Sequence, residues 1–377
     1  MRIALGPALI AVKGAPTPEV EKVYQRAFEL VEELGAGVHR FPAQWGLWYV
    51  NYTRGEYPVA REAGERLLAT ARKGDDSGQL LEAHHSLWPT LVAMGRPLEA
   101  ISHMEHGMAL YDPERHGMHA FLYAGHDPGA CCRFHLGMTR WLLGYADSGL
   151  SDVRDADRLA AELNHPLTMV IAGWFTAWVH CQRGEHELAI ASFERLTALA
   201  RPYALAAWAD NADAILRMMR RECTSVAAIE ELHQQLRASP VTTTWRKMVC
   251  TCMLAELCAY SGHADEALQI LRSIPDEHRR AFAASEILRL EGEFMLKQRQ
   301  PALGAAQHLF NEAIDLARSR GEKSLELRAA MSLARMLDGQ HRREEAHSVL
   351  AGVYGWFTEG FDTADLKSAK TLLATLS

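Results

Sequence analysis

The segment from Gln182 to Phe193 reads QRGEHELAIASF and contains the pattern that decides the fold. Gly184 is followed five residues later by the small residue Ala189, and Ala189 is followed four residues later by the large residue Phe193. A small side chain lets a neighbouring helix approach closely, and a large side chain one helical turn later fills the space beside it. The segment therefore predicts a turn that leads into a closely packed helix.

The same pattern recurs along the whole chain. The small residues, called the small positions below, are Val20, Ala60, Ala100, Gly149, Ala189, Ala228, Ala267, Ala306 and Ala346. The steps between them are 40, 40, 49, 40, 39, 39, 39 and 40 residues. The residue four places after each small position is apolar in every repeat except that of Ala60, where it is Gly64. A second helix-length apolar segment precedes each turn, so the repeating unit is a pair of helices.

These repeats predict the fold class. A chain of 377 residues exceeds the size of one globular core, so several domains or a repeat array are expected. Long period-2 alternation of β-branched residues is missing, which argues against strands. We predict an all-α α-α superhelix (solenoid) of about nine helix pairs over residues 1–352, with an elongated, curved shape. The 49-residue step predicts one long loop, Tyr111–Gly129.

The C-terminal segment YGWFTEGFDT, residues 354–363, places several aromatic rings close to the chain end. The last repeat of a solenoid has an uncovered apolar face that a terminal cap must hide. We predict that residues 353–377 form an aromatic turn and a C-terminal capping helix. Gly355 and Gly360 would permit the sharp backbone, and Asp362 or Thr363 would begin the helix.

Composition and charge exclude several classes of partner. The chain has 48% hydrophobic and 23% charged residues and a net charge of -7, which argues against a nucleic-acid partner. The longest apolar run, Leu167–Val179, is too short to span a membrane. The seven cysteines form no C-x-x-C pair, as expected of free thiols in a reducing compartment. We therefore predict a cytoplasmic protein with neither a membrane nor a nucleic acid as partner.

The segments VYQRAFEL (residues 23–30) and AAQHLFNEAIDLA (residues 305–317) resemble the tetratricopeptide repeat (TPR). That family places small residues and one large residue at corresponding positions of a helix pair. Its usual period is about 34 residues, and the longer period here implies longer helices and turns. The resemblance implies a TPR-like, right-handed α-α superhelix (solenoid), whose first helices line a concave groove.

A narrower resemblance extends over essentially the whole chain. The segments YGWFTEGFDTADLKSAKTLL, LYDPERH and GHDPG are similar to the C-terminal TPR region of large bacterial adenylate or guanylate cyclase–ATPase fusion proteins. The resemblance implies a module that regulates an associated nucleotide cyclase or ATPase. A phosphate-binding loop needs a Gly-Lys pair, which this chain lacks. We therefore predict a protein that is not an enzyme, with no catalytic residues and no cofactor.

Histidines are concentrated between His84 and His135, where two pairs occur at a spacing of three: His103 with His106, and His116 with His119. Such pairs could ligate zinc if the long loop folded over a helix. No His-x-x-x-His or Cys/His pairing accompanies them, which favours hydrogen-bonding roles, and we predict no metal site.

His126 and Asp127 in GHDPG could form an acid–base pair. Asp127 is more simply the N-cap of a helix whose first residue is Pro128, because proline is favoured at that position.

Aromatic residues suggest where a ligand could bind. Setting each small position as position 20 of a TPR places a group of residues on the concave groove. These predicted groove residues are Trp45, Tyr49, Tyr52, His85, Trp141, Trp174 and Trp178. Their rings could hold a peptide or a small effector by stacking and apolar burial. The alternative is that they pack between adjacent first helices.

The sequence thus favours a non-catalytic module that interacts with a protein segment or senses a small effector. The alternative is an enzyme or metal-binding protein with a site in the groove or under the loop 111–129. Self-association through the N-terminal repeat is also expected if that repeat is poorly capped.

Overall fold

The computed structural model describes residues 2–35, 39–123, 125–239 and 243–377, in which the regular elements are helices and no strand occurs. The α-helices are α1 Arg2–Lys13, α2 Pro18–Leu34, α3 Arg40–Arg54, α4 Tyr57–Ala71, α5 Ser77–Ala93, α6 Pro97–Leu110, α7 Pro113–His116, α8 His119–Leu122, α9 Pro128–Leu142, α10 Ala146–Leu163, α11 Pro166–Arg183, α12 His186–Ala200, α13 Ala206–Met219, α14 Val226–Ala238, α15 Thr244–Tyr260, α16 Ala264–Arg272, α17 Asp276–Arg279, α18 Ala284–Lys297, α19 Leu303–Arg320, α20 Lys323–Gly339, α21 Arg343–Tyr354 and α22 Ala364–Leu376. None of these helices is long and apolar enough to cross a membrane.

The helices form the predicted pairs, and the all-α, TPR-like fold class is confirmed. The pairs are α1/α2, α3/α4, α5/α6, α9/α10, α11/α12, α13/α14, α15/α16, α18/α19 and α20/α21. The short helices α7 and α8 lie in the predicted loop 111–129, of which Ala124 is outside the described residues. The seven cysteines are free thiols, as the sequence predicts.

The small positions lie on the second helix of each pair, and all except the half-buried Ala228 are buried. Three of the large residues that follow them, Tyr24, Val153 and Phe310, pack against glycines of first helices. Tyr24 lies against Gly46 of the next pair, and Phe310 lies against Gly292 of its own pair. The large side chain therefore occupies space that any side chain on the facing helix would fill.

The superhelix closes on itself after five pairs, which the sequence does not predict. The indole of Trp245 in the seventh pair donates to the hydroxyl of Tyr52 in the second pair (2.9 Å). The hydroxyl of Ser324 in the ninth pair donates to the carbonyl of Trp141 in the fourth pair (2.6 Å). Between them, the amide of Phe282 donates to the carbonyl of Ala93 (2.8 Å). Pairs one to five form a first turn of the superhelix, and the remaining pairs and α22 form a second turn that packs on it.

The elongated shape predicted from the repeats is therefore wrong. The accessible surface of the 42.0 kDa chain is 16259 Å², close to the roughly 15,000 Å² expected of a compact monomer of this mass. The reason is that contacts between the two turns bury surface that an open solenoid would expose.

The turn glycines make the close contact between superhelical turns possible. Gly55 and Gly184 end first helices in the left-handed conformation, with φ of 87° and 76°. A Cβ added at Gly55 would lie 2.7 Å from the ring of His278, and one at Gly184 would overlap the Cβ of Ala364. These glycines thus serve both the sharp turn and the contact with the second superhelical turn.

The aromatic turn near the C-terminus contacts the first superhelical turn as well as the last repeat. The carboxylate of Glu359 accepts hydrogen bonds of 2.8 Å from the amides of Asp147 and Ser148 and from the Ser148 hydroxyl. These amides open α10, so Glu359 caps a helix more than 200 residues away in sequence. The Gly360 amide donates to Asp147 in return (2.9 Å).

Some details of this turn differ from expectation. Gly360 has φ of 77°, but Gly355 is helical with φ of -65° and does not require glycine. Thr363 precedes α22 at the N-cap position, yet its hydroxyl donates to the Gly360 carbonyl rather than accepting from the helix. Phe357 is buried. Phe361 is 48% exposed, and its ring contacts that of Tyr354. The domain boundary at residues 352 and 353 stays a prediction.

The contact between superhelical turns can be tested with two matched glycine substitutions. Gly262 has φ of 90° and nothing within 4 Å of an added Cβ. Gly262→Ala should lower the free energy of unfolding by about 1 kcal/mol through backbone strain alone. Gly184→Ala should cost about 1–3 kcal/mol more, because its Cβ must displace α22. Urea unfolding measures both variants, and equal losses would contradict the close packing of the two superhelical turns.

The cap supplied by Glu359 gives a second prediction. Glu359→Ala should lower the free energy of unfolding by about 1–2 kcal/mol, because α10 loses the acceptor for its first amides. Glu312→Ala, at an exposed position of α19, should change it by less than about 0.5 kcal/mol. Thermal and urea unfolding are the measurements. A loss at Glu359 no larger than at Glu312 would mean that the aromatic turn does not hold α10.

Candidate functional site

The second superhelical turn surrounds a cavity of about 700 Å³, called the central cavity below. Its walls come from the first helices of the later pairs, from α9 and α11 of the first superhelical turn, and from α22. The cavity is therefore the part of the concave surface that remains after the two turns have packed together. Its volume falls within the roughly 300–1,000 Å³ typical of ligand sites.

The lining of the central cavity is rich in methionine and aromatic rings. It includes Met218, Met219, Met253 and Met331 and the rings of Trp141, Trp178 and Phe282. Methionine is flexible and polarisable, so such a lining can adapt to ligands of different shape.

The lining of the central cavity also holds a network of charged side chains, called the charged network below. Arg289 donates two hydrogen bonds to Glu286, of 2.9 and 2.7 Å, and lies 3.5 Å from Glu256. Arg328 pairs with Asp365 of α22 at 2.7 Å. These bidentate and short pairs are the geometry in which partly buried charges compensate each other.

Arg328 also joins the two superhelical turns. Its guanidinium donates to the side chain and the carbonyl of Gln182 (2.8 and 3.0 Å). It lies 4.9 Å from the ring centre of Trp141, a cation–π distance. One side chain thus connects α20 with α22 and with two helices of the first superhelical turn.

Two carboxylates of the charged network that line the central cavity have pKa values shifted in opposite directions. Burial would raise the pKa of Glu286, but the charges of Arg289 and Arg328 and the hydrogen bonds from Arg289 hold it below its usual value. The pKa of Glu256 is raised because its carboxylate lies inside the superhelix, further from Arg289, and feels the charge of Glu286. Its side chain is nevertheless 51% exposed to the cavity, so the effect of desolvation is limited. Glu256 is therefore the carboxylate of the cavity whose charge is compensated less completely.

Among the described residues, two cations of the central cavity have neither a carboxylate nor an aromatic ring as partner, whereas a third, Arg221, lies over the ring of Tyr260. Arg335 and Lys297 are exposed in its lining, and no carboxylate among the described residues lies within ion-pair distance of either. The guanidinium of Arg335 has a single weak contact, 3.9 Å from the sulfur of Met331. These two side chains can bind an anionic group without breaking an existing pair.

The predicted groove residues are divided between two cavities rather than spread along an open groove. Six of them are 0–5% exposed, and Tyr49 is half-buried. Trp141 and Trp178 line the central cavity. Tyr49, Tyr52 and His85 line a second, smaller cavity, while Trp45 and Trp174 line neither. These rings lie between helices rather than on an open surface: Trp45 donates to the Glu82 carbonyl of the next first helix, and Trp174 lies against Trp245 of the second superhelical turn. A ligand-binding role for the predicted groove residues stays a prediction.

The second cavity, called the Arg246 cavity below, has a volume of about 60 Å³. It lies among first helices of the first superhelical turn and the start of α15. Its lining includes Arg246, Thr243, Tyr49, Tyr52, His85, His126, Cys131 and His135. The sequence analysis singled out some of these residues, but not the arginine.

A buried hydrogen-bond chain reaches this cavity. The carboxylate of Glu82 binds Nδ1 of His85 (2.9 Å) and Nδ1 of His119 (2.8 Å). On the other side of the ring, Nε2 of His85 is 3.1 Å from the sulfur of Cys131. Burial would raise the pKa of Glu82, but the charges and hydrogen bonds of the two histidines lower it to about 2. Burial raises the pKa of the Cys131 thiol well above its usual value.

The other histidines are explained by local contacts. Nδ1 of His84 is 3.0 Å from Nδ1 of His103, and the ring of His106 stacks on His84. Nδ1 of His116 accepts from the amide of Asp112 (3.0 Å). The metal-ligating pairs considered from the sequence thus occupy separate hydrogen-bond environments.

Asp127 caps α9, as the sequence favours. Its carboxylate accepts from the amide of Ala130 (2.8 Å) and from the hydroxyl of Tyr111 (3.0 Å). The residue thereby ties the end of the loop 111–129 to α9.

Sequence reasoning missed the pairing of His85 with Cys131, because residues 46 positions apart in different repeats show no motif. The signal for Arg289 was available, because Glu286 and Arg289 are three residues apart on one helix and face the same side.

Comparison with known proteins gives few relatives. No family model matches the chain. An uncharacterised protein of Rhizobium meliloti (strain 1021) is 27% identical over 163 residues, which are 42% of this chain. The match spans only 16% of that protein's length.

Solved structures with similar folds are distant. They include the apo form of the quorum sensor NprR from B. thuringiensis, at 14% identity and a TM-score of 0.49, covering 94% of this chain and 97% of that chain. A Rap protein complexed with Competence and Sporulation Factor is 11% identical with a TM-score of 0.43, covering 100% and 98%. Human IFIT1 with m7Gppp-AAAA is 13% identical with a TM-score of 0.47, covering 94% and 78%. No functional statement about this chain follows from similarity at this level.

Proposed function

We propose that the protein is a non-catalytic sensory module that binds a short protein segment or a small effector in the central cavity. The proposal rests on one observation: the cations Arg335 and Lys297 and several methionines line the same space of about 700 Å³. Arg335 and Lys297 can bind an acidic group of the ligand, and the methionines of the lining can pack against its apolar part.

The position of the cavity supports a sensory role. Its walls combine α9 and α11 of the first superhelical turn with α18, α20 and α22 of the second. A ligand that contacts both turns stabilises their packing, since it binds the closed arrangement better than an opened one. Ligand binding would thereby increase the stability of the contact between the two superhelical turns, and this change would reach both ends of the chain.

The finer proposal is that the module regulates an associated nucleotide cyclase or ATPase in bacteria. It is supported by the resemblance of the C-terminal segment and of LYDPERH and GHDPG to the repeat region of such fusion proteins. The genomic context tests it: a cyclase or P-loop ATPase should be encoded with this chain or directly upstream of it. A context without either enzyme would count against this part of the proposal alone.

Ligand binding can be tested with capped pentapeptides that carry two Glu, two Gln or two Lys residues among leucines. The peptide with glutamates should bind most tightly by isothermal titration calorimetry. Arg335→Gln should weaken it at least about threefold, because one charge-assisted hydrogen bond is lost at a partly hydrated site. Arg299→Gln, an exposed position just after α18, is the control and should not change the affinity.

The same experiment contains the contradicting result. Equal affinity for the three peptides, or equal effects of Arg335→Gln and Arg299→Gln, would show that the free cations of the central cavity do not select the ligand.

The alternative of an enzyme or metal-binding protein has one group of residues in its favour. Ligand atoms of His85, His126 and Cys131 all lie within 4.8 Å of one another, and the three residues are buried. The carboxylate of Glu82 behind His85 resembles the outer partner of many metal-bound histidines. Two features oppose a cation here: the positive charge of Arg246 borders the same cavity, and burial raises the pKa of the Cys131 thiol.

Cobalt(II) titration distinguishes this alternative. If the three residues bind a metal, cobalt should give a thiolate charge-transfer band that disappears in Cys131→Ser and persists in Cys252→Ser, a second buried cysteine. We expect no such band, because the cavity already contains an uncompensated cation. A band with this dependence on Cys131 would establish a metal site instead.

A further inference from the structure

Arg246, in the first turn of α15, is a buried cation without a counter-charge. The residue is only 7% exposed. No carboxylate among the described residues lies within ion-pair distance of its guanidinium, and its Nε has no hydrogen-bond partner there. A buried charge is normally paired or hydrogen-bonded, since desolvation otherwise costs several kcal/mol. The arrangement therefore requires something that the protein's described side chains do not supply.

Aromatic faces compensate the charge only in part. The guanidinium carbon lies 4.8 Å from the ring centre of Trp174, 5.2 Å from that of Trp208 and 5.4 Å from that of Trp245. Cation–π contacts of this kind contribute about 0.5–2 kcal/mol each. They stabilise the flat face of the guanidinium, and its buried Nε remains without an acceptor in the described structure.

Further polar atoms without partners line the same cavity. Thr243 Oγ1 and His135 Nε2 are buried and have no hydrogen-bond partner in the described structure. The hydroxyl of Tyr52 accepts the indole hydrogen of Trp245, so its own hydrogen is available to a guest in the cavity. Unsatisfied buried polar groups from α9 and the start of α15 thus converge on one small space, which is the mark of a missing ligand.

The sign and size of the ligand follow from these groups. Water would satisfy the N–H groups but would not neutralise the guanidinium, whereas an anion does both. The positive end of α15, at whose start Arg246 lies, adds to the attraction for negative charge. A volume of about 60 Å³ corresponds to roughly four to six water-sized positions. That is room for an anion of a few non-hydrogen atoms.

The walls distinguish between kinds of anion. The lining of the cavity also includes apolar groups, among them Trp48, Phe134 and Ile171. A tetrahedral oxyanion would turn some of its oxygens toward these groups without a donor. A short carboxylate directs both oxygens to the planar guanidinium and its alkyl chain to the apolar wall.

We propose that the Arg246 cavity is a binding site for a short-chain carboxylate, of about the size of acetate or propionate. The site is separate from the central cavity and does not depend on the function proposed for it. Because Arg246 belongs to the second superhelical turn and Tyr49 and His135 to the first, a bound carboxylate also joins the two turns.

Thermal unfolding of the 377-residue chain in sodium propionate, compared with sodium chloride of equal ionic strength, tests the proposal. Propionate should raise the unfolding temperature in a saturable manner, with half-saturation on the order of 1 mM. Intrinsic tryptophan fluorescence should report the same half-saturation, because indole rings surround the guanidinium. No difference between propionate and chloride in the wild-type protein would overturn the proposal without any variant.

Substitutions assign the effect to this site. Arg246→Met keeps apolar contact with the rings and should abolish the response to propionate, while Arg246→Lys should weaken it at least about tenfold by removing the planar fork. Arg272→Met, at an exposed position of α16, is the control and should respond as the wild type does. If Arg246→Met fails to fold, Arg246→Lys and Thr243→Val provide the comparison. An unchanged response in the variants that fold would overturn the assignment.

Sulfate and phosphate complete the test. We expect them to act no more strongly than chloride at equal ionic strength. Saturable stabilisation by sulfate or phosphate that is lost in Arg246→Met, without an effect of propionate, would overturn the carboxylate assignment and indicate a tetrahedral oxyanion instead.

Discussion

The structure depends on the close approach of two superhelical turns at glycines that end first helices. A turn residue with positive φ is strained unless it is glycine. At Gly55 and Gly184 the second superhelical turn also occupies the space where a Cβ atom would lie. The direct bonds from Trp245 to Tyr52 and from Ser324 to Trp141 follow from that approach. An array whose turns stood further apart would have neither the central cavity nor the Arg246 cavity.

Some cations in the interior of the superhelix are paired with carboxylates, and others are not. Arg289 and Arg328 are matched by Glu286 and Asp365 at short distances, so they stabilise the closed arrangement. Arg246 is buried as deeply but has only aromatic rings around it. Arg335 and Lys297 are unpaired in the described structure but exposed within the central cavity, where water reaches them. The paired arginines are explained by architecture, whereas the unpaired cations are explained best by ligands.

The sequence predicts the local architecture well and the closure of the superhelix poorly. The spacing of the small positions is a local pattern, because each small residue packs within its own pair or against the next one. Contacts such as Glu359 with Asp147 or Trp245 with Tyr52 join residues about 200 positions apart. These contacts leave no periodic pattern in the sequence. The packing of each helix pair against the fifth pair after it could therefore not be inferred. The same limit applies to the sites: aromatic residues were found from their register, but Arg246 and Cys131 acquire their meaning only from residues of other repeats.

Small-angle X-ray scattering tests the closed superhelix most directly. Two packed turns predict a radius of gyration near the value of about 21 Å expected of a compact chain of this length. Nine helix pairs spaced by about 10 Å in an open arc would extend over roughly 90 Å and give a radius of about 28 Å or more. A value close to 21 Å supports the account, and a value near 28 Å for the monomer would contradict it.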